Sequence, residues 1–131
     1  MAEPEFMQMG KAFVGFYYPE FSKDRSATSA LAAVYTEQSC LTFEGAQFQG
    51  KAPILEKLAS LPFTKVCHQV TTIDAQPIIG VDDNKAVVVM VTGQLKTDDD
   101  PPHSFHHSFM LRPAGGAFVI SNEVFRLALH N

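Results

Sequence analysis

At Pro62 the spacing of the apolar residues changes from steps of three and four to steps of two, and that change constrains the fold more than any other feature of the chain. Four long runs of strand character follow it, about Thr64–Gln76, Lys85–Lys96, His103–Arg112 and Ala117–Leu129. Gly80 with Asp82-Asp83-Asn84, then Asp98 to Pro102, then Pro113-Ala-Gly-Gly provide turn chemistry between them. Connections this short join antiparallel neighbours, so the second half of the chain predicts an antiparallel meander.

The first half reads as helical. From Pro4 to about Tyr18, Phe6, Met9, Phe13, Phe16 and Tyr17 form one apolar stripe, with Pro4 placed in the first turn. Pro19 predicts a kink or a break, softened because the residue four positions earlier is Gly15. A second helix is expected over Thr28–Thr36, with Leu31, Val34 and Tyr35 inward and Ser26 or Thr28 as its cap. A third spans Ala52–Ser60, with Pro53 in its first turn, a stripe of Ile54, Leu55, Leu58 and Leu61, and Pro62 as its stop. Cys40–Phe43 and Gln47–Gln49 read as short strands between the last two helices. The expectation is an α+β fold in one domain, 1–131, with three N-terminal helices packed on one face of an antiparallel sheet.

The other face also needs a cover. In Ala86–Val91 both parities are apolar, with Val87, Val89 and Val91 against Ala86, Val88 and Met90. The last run repeats the pattern, with Phe125, Leu127 and Leu129 against Phe118, Ile120 and Val124. A sheet with one wet face should alternate polar and apolar residues. A second copy of the chain is the economical cover, so a homodimer is expected, with Met90 and Val124 in its interface.

Composition removes several function classes. The chain has 131 residues, 46% of them apolar, enough for a core without metal or disulfide staples. With ten basic and fourteen acidic residues, a net charge of −4 and no basic run, neither nucleic acid nor an anionic membrane is an expected partner. No run of 18 apolar residues occurs. The start, Met1-Ala-Glu-Pro-Glu, lacks the basic and apolar regions of a signal peptide, which points to the cytosol or nucleus. Cys40 and Cys67, 27 residues apart, read as two small buried thiols.

Most local motifs dissolve on inspection. Gly45 to Lys51 matches the spacing of a phosphate loop, but Ala52 replaces the magnesium-holding hydroxyl and Phe48 fills the interior, so a strand, a glycine turn and a helix start are expected. His106 and His107 point to opposite faces of a strand, and His103 lies about 13 Å from His107, too far for one ion. No metal and no cofactor is expected. The carboxylates hold more promise: if the sheet curves to bring Glu44 near Asp98-Asp99-Asp100, an acidic ring surrounds an apolar mouth and attracts a basic partner.

Five segments, FVGFYYPEFSKDR (Phe13–Arg25), SCLTFEGAQFQGK (Ser39–Lys51), EKLASLPFTKV (Glu56–Val66), TGQLKTDDDP (Thr92–Pro101) and FRLALHN (Phe125–Asn131), together resemble the nuclear transport factor 2 family from about Phe6 onward. The resemblance implies a cone-shaped homodimeric fold that carries the GDP-bound small GTPase Ran into the nucleus and binds FxFG nucleoporins on the way. It implies a protein of cytoplasm and nucleus, concentrated at the nuclear envelope and pore, and not an enzyme. It assigns Glu44, Asp98 and Asp100 to an acidic rim that meets basic residues of the GTPase. It assigns Phe43, Leu61, Val66, Val124 and Phe125 to the cavity that takes an aromatic side chain, His68 to a place beside that cavity, and Phe6 to the nucleoporin site. Phe43 and Phe6 stand where a tryptophan is frequent. The rival reading is a small-molecule isomerase or dehydratase of the same fold, with His68 and Glu44 as acid and base; no oxyanion donor at a suitable spacing supports it.

Overall fold

The computed structural model describes residues 3–26 and 29–128. Helix α1 (Glu5–Lys23) leads, followed by a 3-10 turn (Ala30–Val34), strands β1 (Cys40–Phe43) and β2 (Ala46–Gln49) and helix α2 (Lys51–Ala59). Strands β3 (Val66–Pro77), β4 (Val87–Thr97), β5 (His103–Ala114) and β6 (Ala117–Leu127) complete one six-stranded sheet in the order β2-β1-β6-β5-β4-β3. The four long strands form the expected antiparallel meander. Beyond it, β1 pairs parallel with β6 through Thr42 opposite Val124 and Phe43 opposite Phe125. The stretch from Gly45 to Lys51 is a turn, strand β2, a left-handed Gly50 and the start of α2, in line with the expected strand, glycine turn and helix start.

Two α-helices, not three, lie on the sheet. The second expected helix is a five-residue 3-10 turn that still buries Leu31 and Val34. Ser29 stands at its N-cap without a side-chain cap bond, and the candidate cap Thr28 lies outside the described residues. Helix α1 neither breaks nor ends at Pro19 but continues for a further turn to Lys23. Pro19 and Gly15 both face solvent, so the Gly15 carbonyl that loses its helical partner is open to water. The buried stripe of α1, Gly10, Phe13, Val14, Tyr17, Tyr18 and Phe21, runs past Pro19 on the opposite side.

Gly10 lets the helix approach β3 closely, since a Cβ there would lie 3.0 Å from the Ala75 Cβ. At the same place the main-chain N–H of Ala75, on an edge strand, donates to the Met7 thioether at 3.2 Å. Helix α1 thereby covers a sheet edge that would otherwise be open to pairing.

Two irregularities bend the sheet. The β3–β4 register shifts between Val70 and Thr72, opposite Gly93, and the β5–β6 register shifts so that Leu111 faces Ile120 while Met110 faces Asn122. Each inserts a residue into one strand and increases local twist. The second also corrects the parity read from the sequence. Ile120, grouped there with Val124 on the outer face, is fully buried, and beyond the bulge the inward set becomes Glu123 and Phe125. Both cysteines are exposed free thiols, so the expectation of two buried ones fails. Leu129, expected to extend β6, lies outside the described residues.

The outer face carries an apolar patch. Met90 is 55% exposed, Val124 43% and Met110 36%. Met90 and Val124 flank Ser108 in one cross-strand row, and Met110 lies opposite Val88 in the next. Gly93 generates a stability prediction. A Cβ at this position would sit 2.3 Å from the Gln69 carbonyl oxygen. Gly93→Ala is therefore expected to destabilise by about 1–3 kcal/mol or more, whereas Gly15→Ala, with open space around it in a helix interior, should stabilise by about 0.5–1 kcal/mol. Urea denaturation of the two variants beside the parent protein checks both signs.

Candidate functional site: an apolar cavity with a polar floor and an acidic mouth

Between α1, α2 and the inner face of the sheet lies a cavity of about 310 Å³. Its walls follow from the two apolar periodicities. Tyr17, Tyr18 and Phe21 come from the buried stripe of α1, Leu58 from the last turn of α2 and Leu61 from just beyond it, and Val66, Leu95, Phe125 and Leu127 from inward positions of the strands. Phe43 closes one side and stacks on Phe125 at 4.9 Å between ring centroids. Lys57 sits over the outer ring at 5.4 Å from the Phe43 centroid.

The floor is a hydrogen-bonded cluster that sequence reasoning missed. Glu123 is 3% exposed and inward-facing. Its Oε2 accepts from the Tyr17 hydroxyl at 2.8 Å and pairs with His107 Nε2 at 2.6 Å. Its Oε1 accepts from the Tyr35 hydroxyl at 2.6 Å. The other His107 nitrogen, Nδ1, lies 2.8 Å from the Tyr18 hydroxyl. Burial, followed by the neighbouring Glu123 charge, pushes the Tyr17 and Tyr35 hydroxyls well above the usual phenol range, and Tyr18 moves the same way. All three therefore keep their protons at neutral pH. The available sequence signal was that Glu123 shares the parity of Phe125 in the last strand, a carboxylate on the face that alternation turns inward.

The mouth carries the acidic groups. Glu44, with φ 51°, follows Phe43 at the β1–β2 turn, and its Oε1 accepts from the Leu127 main-chain N–H. Glu44 and Asp100 line the cavity together with Thr97 and His103. Asp98, expected at this rim, does not line it. Its backbone is left-handed, φ 47°, and its Oδ1 accepts from the main-chain N–H groups of Lys65 at 2.8 Å and Thr64 at 3.2 Å. Asp98 thus braces the loop leading into β3 beside the mouth. Val124, expected in the cavity lining, faces the opposite side of the sheet, as alternation from Phe125 dictates. Leu61, Val66, His68 and Phe125 do line the cavity. Phe6 is half-buried near the start of α1 and packs against the core.

Arg25 is a second residue that the sequence did not single out. Its guanidinium donates to the carbonyls of Leu58, Phe21 and Phe63 at 3.1, 3.3 and 3.2 Å, and sits 4.7 Å from the Phe63 ring centroid. It ties the end of α1 to the end of α2 and to the Phe63 loop, which together form one lip of the cavity. Of the three histidines on β5, His107 is buried in the floor, His103 lines the mouth and His106 faces outward. Among the described residues no group of His, Cys, Asp and Glu could hold a metal ion.

Comparison with known proteins adds a family to this geometry. The model of the nuclear transport factor 2 (NTF2) domain matches residues 9–127. Proteins named nuclear transport factor 2 from Kluyveromyces lactis and Saccharomyces cerevisiae are each 44% identical over 124 residues, covering 94% of this chain and 94% of theirs. The structure of nuclear transport factor 2 from Cryptosporidium parvum, 42% identical, superposes with a TM-score of 0.85 over 97% of this chain and 98% of that one.

His68 lines the cavity with its Nδ1 buried and without a hydrogen-bond partner among the described residues. Burial, then the nearby His107 and Arg25, lowers its pKa from the ordinary 6.5 to about 4. The folded state therefore disfavours the proton that the unfolded chain accepts below pH 6.5. The stabilisation is complete above that pH and is lost as pH falls toward 4. Its full size is on the order of 3 kcal/mol. His68→Phe is expected to flatten the stability profile between pH 6.5 and 4 relative to the parent, measured by urea denaturation at half-unit intervals.

Proposed function

The chain belongs to the nuclear transport factor 2 family, and from that premise we propose that it is a carrier, not an enzyme, that imports the GDP-bound form of the small GTPase Ran into the nucleus. The observation that carries this reading is an aromatic-walled cavity of about 310 Å³ whose mouth holds Glu44 and Asp100. Such a site suits one apolar side chain of a protein flanked by basic residues. Phe43, Leu61, Val66, His68 and Phe125 receive the guest aromatic, while Glu44, Asp98 and Asp100 meet the cations around it. Ion pairs beside a desolvated apolar contact are screened less than exposed ones. Asp98 serves partly through the loop that it braces. The carrier moves between cytoplasm and nucleus, concentrates at the pore, and takes FxFG nucleoporins at a depression that includes Phe6.

The carrier acts as a homodimer, with Met90 and Val124 covered by a second copy. The exposed apolar patch on the outer face supports this assembly. Sedimentation at micromolar concentration is expected to give twice 14.4 kDa, and Met90→Glu or Val124→Glu to shift the mass toward the monomer, because an unpaired buried charge costs several kcal/mol. A monomer for the parent protein would contradict the assembly.

Recognition of the GTPase is tested by titrating Ran loaded with GDP or GTP against single-site variants. Glu44→Lys, Asp98→Asn and Asp100→Asn are each expected to weaken binding of the GDP form by roughly thirty-fold to a few thousand-fold, since truncating one partner of a desolvated charge pair costs about 2–5 kcal/mol. Asp98→Asn keeps an acceptor for the Thr64 and Lys65 N–H groups, so it isolates the charge from the loop. Asp99→Asn, which removes a charge at a residue outside the cavity lining, should be nearly silent. Unchanged affinity in all four variants would overturn the site.

A further inference from the structure

Two polar groups on the cavity wall have bonding capacity that the fold leaves unused. Tyr18 and His68 both line the cavity, and their ring centroids lie 4.6 Å apart. The Tyr18 hydroxyl has His107 Nδ1 as its partner. A phenolic oxygen offers one proton and two lone pairs, so at least one lone pair of Tyr18 remains open whichever way its proton points. His68 Nδ1 is buried with no partner among the described residues, and a buried polar nitrogen without a bond is costly to leave so. With its pKa near 4 the imidazole is neutral at pH 7. One of its nitrogens then donates and the other accepts, and the soft Cβ–Cγ torsion of histidine allows either to turn toward a guest.

A guest that relieves this wall must both donate and accept at one atom, which a hydroxyl does in either tautomer of His68. The remaining surroundings, Phe21, Phe43, Phe125, Leu58 and Leu95, call for a flat apolar body. Size sets the rest. A dry cavity of about 150 Å³ holds benzene, and about 310 Å³ lies at the small end of ligand sites, which suits one or two fused rings. The acidic mouth formed by Glu44 and Asp100 rejects anions. We propose that the cavity is a binding site for small neutral phenols of one or two fused rings, held by the aromatic wall and hydrogen-bonded by Tyr18 and His68. The proposal stands apart from the carrier reading, because it needs no protein partner.

The test uses 2-naphthol and its non-hydroxylic counterpart 2-methylnaphthalene, titrated into the full chain at pH 7 by fluorescence and calorimetry, with no GTPase present. Saturable binding of 2-naphthol at one per chain is expected, at least about tenfold tighter than 2-methylnaphthalene. Tyr18→Phe and His68→Phe should each bring the two affinities together while leaving that of 2-methylnaphthalene within about threefold of the parent value, with circular dichroism to verify the fold. Amide shift changes on adding 2-naphthol to the parent protein should cluster at Val66, Leu95, Phe125 and Leu127, and that measurement decides the location even if a variant fails to fold. Equal affinity for the two probes in the parent protein, absence of saturable binding, or shifts confined to the outer face around Met90 and Met110 would each overturn the proposal.

Discussion

The Glu123 carboxylate is the point on which the rest of the structure depends. A charge buried in an apolar interior costs several kcal/mol unless its oxygens are satisfied. Here the hydroxyls of Tyr17 and Tyr35 and the imidazole of His107 satisfy them at 2.6–2.8 Å. These donors come from α1, from the segment after the 3-10 turn and from β5, so one group on β6 sets the position of three other elements. Tyr17 and Tyr18 are adjacent, yet one reaches Glu123 and the other His107, which fixes the rotation of α1 about its axis. That anchoring lies immediately before Pro19, and with buried Phe21 beyond it holds the helix through a residue that removes a backbone hydrogen bond. Removing the carboxylate would strand several donors at once, which is why such clusters are either complete or costly.

The cavity inherits its polarity from the same arrangement. Its floor is polar but closed on itself, because Glu123 and His107 spend their bonding capacity on the three tyrosines. Its walls are aromatic, and its mouth is acidic through Glu44 and Asp100. A guest therefore meets charge only at entry. This gradient favours an apolar body with cations around its base over a charged body that penetrates to the floor. Arg25 sits outside this gradient, bonded to three carbonyls at the lip, and acts there as a clasp between the two helices.

Much of this was legible in the chain. The switch of period at Pro62 located all four long strands to within two residues at their starts, and β1 was read at its observed bounds. The cavity residues Leu61, Val66, His68 and Phe125 followed from resemblance alone. What was not legible has identifiable causes. The 3-10 turn has the apolar spacing of a helix over too few residues to distinguish the two. The bulge at Ser121 breaks the period-two rule, so Ile120 was read on the wrong face, while Glu123 was not singled out because nothing local in the sequence marks the tyrosines and histidine that satisfy it. The left-handed backbone of Asp98 turns its carboxylate to the Thr64–Lys65 main chain, and no alternation argument reaches such a residue. Val124 was claimed for both faces, and only one was open to it.

The parallel pairing of β1 with β6 has a consequence for the history of each molecule. Thr42 meets Val124 and Phe43 meets Phe125, and the floor carboxylate lies on that same strand. A nascent chain can form α1, α2 and the hairpin of β3 with β4 from local contacts, but without β6 it has neither the far wall nor the floor of the cavity. Contacts so distant in sequence close slowly, since the loop entropy is lost before the pairing compensates it. Until then Tyr17 and Tyr35 lack their acceptor, and the aromatic stripe of α1 lacks its sheet. The cavity is thus completed only when β6 has paired with β1, and a chain that has not yet made this pairing leaves its aromatic surfaces uncovered.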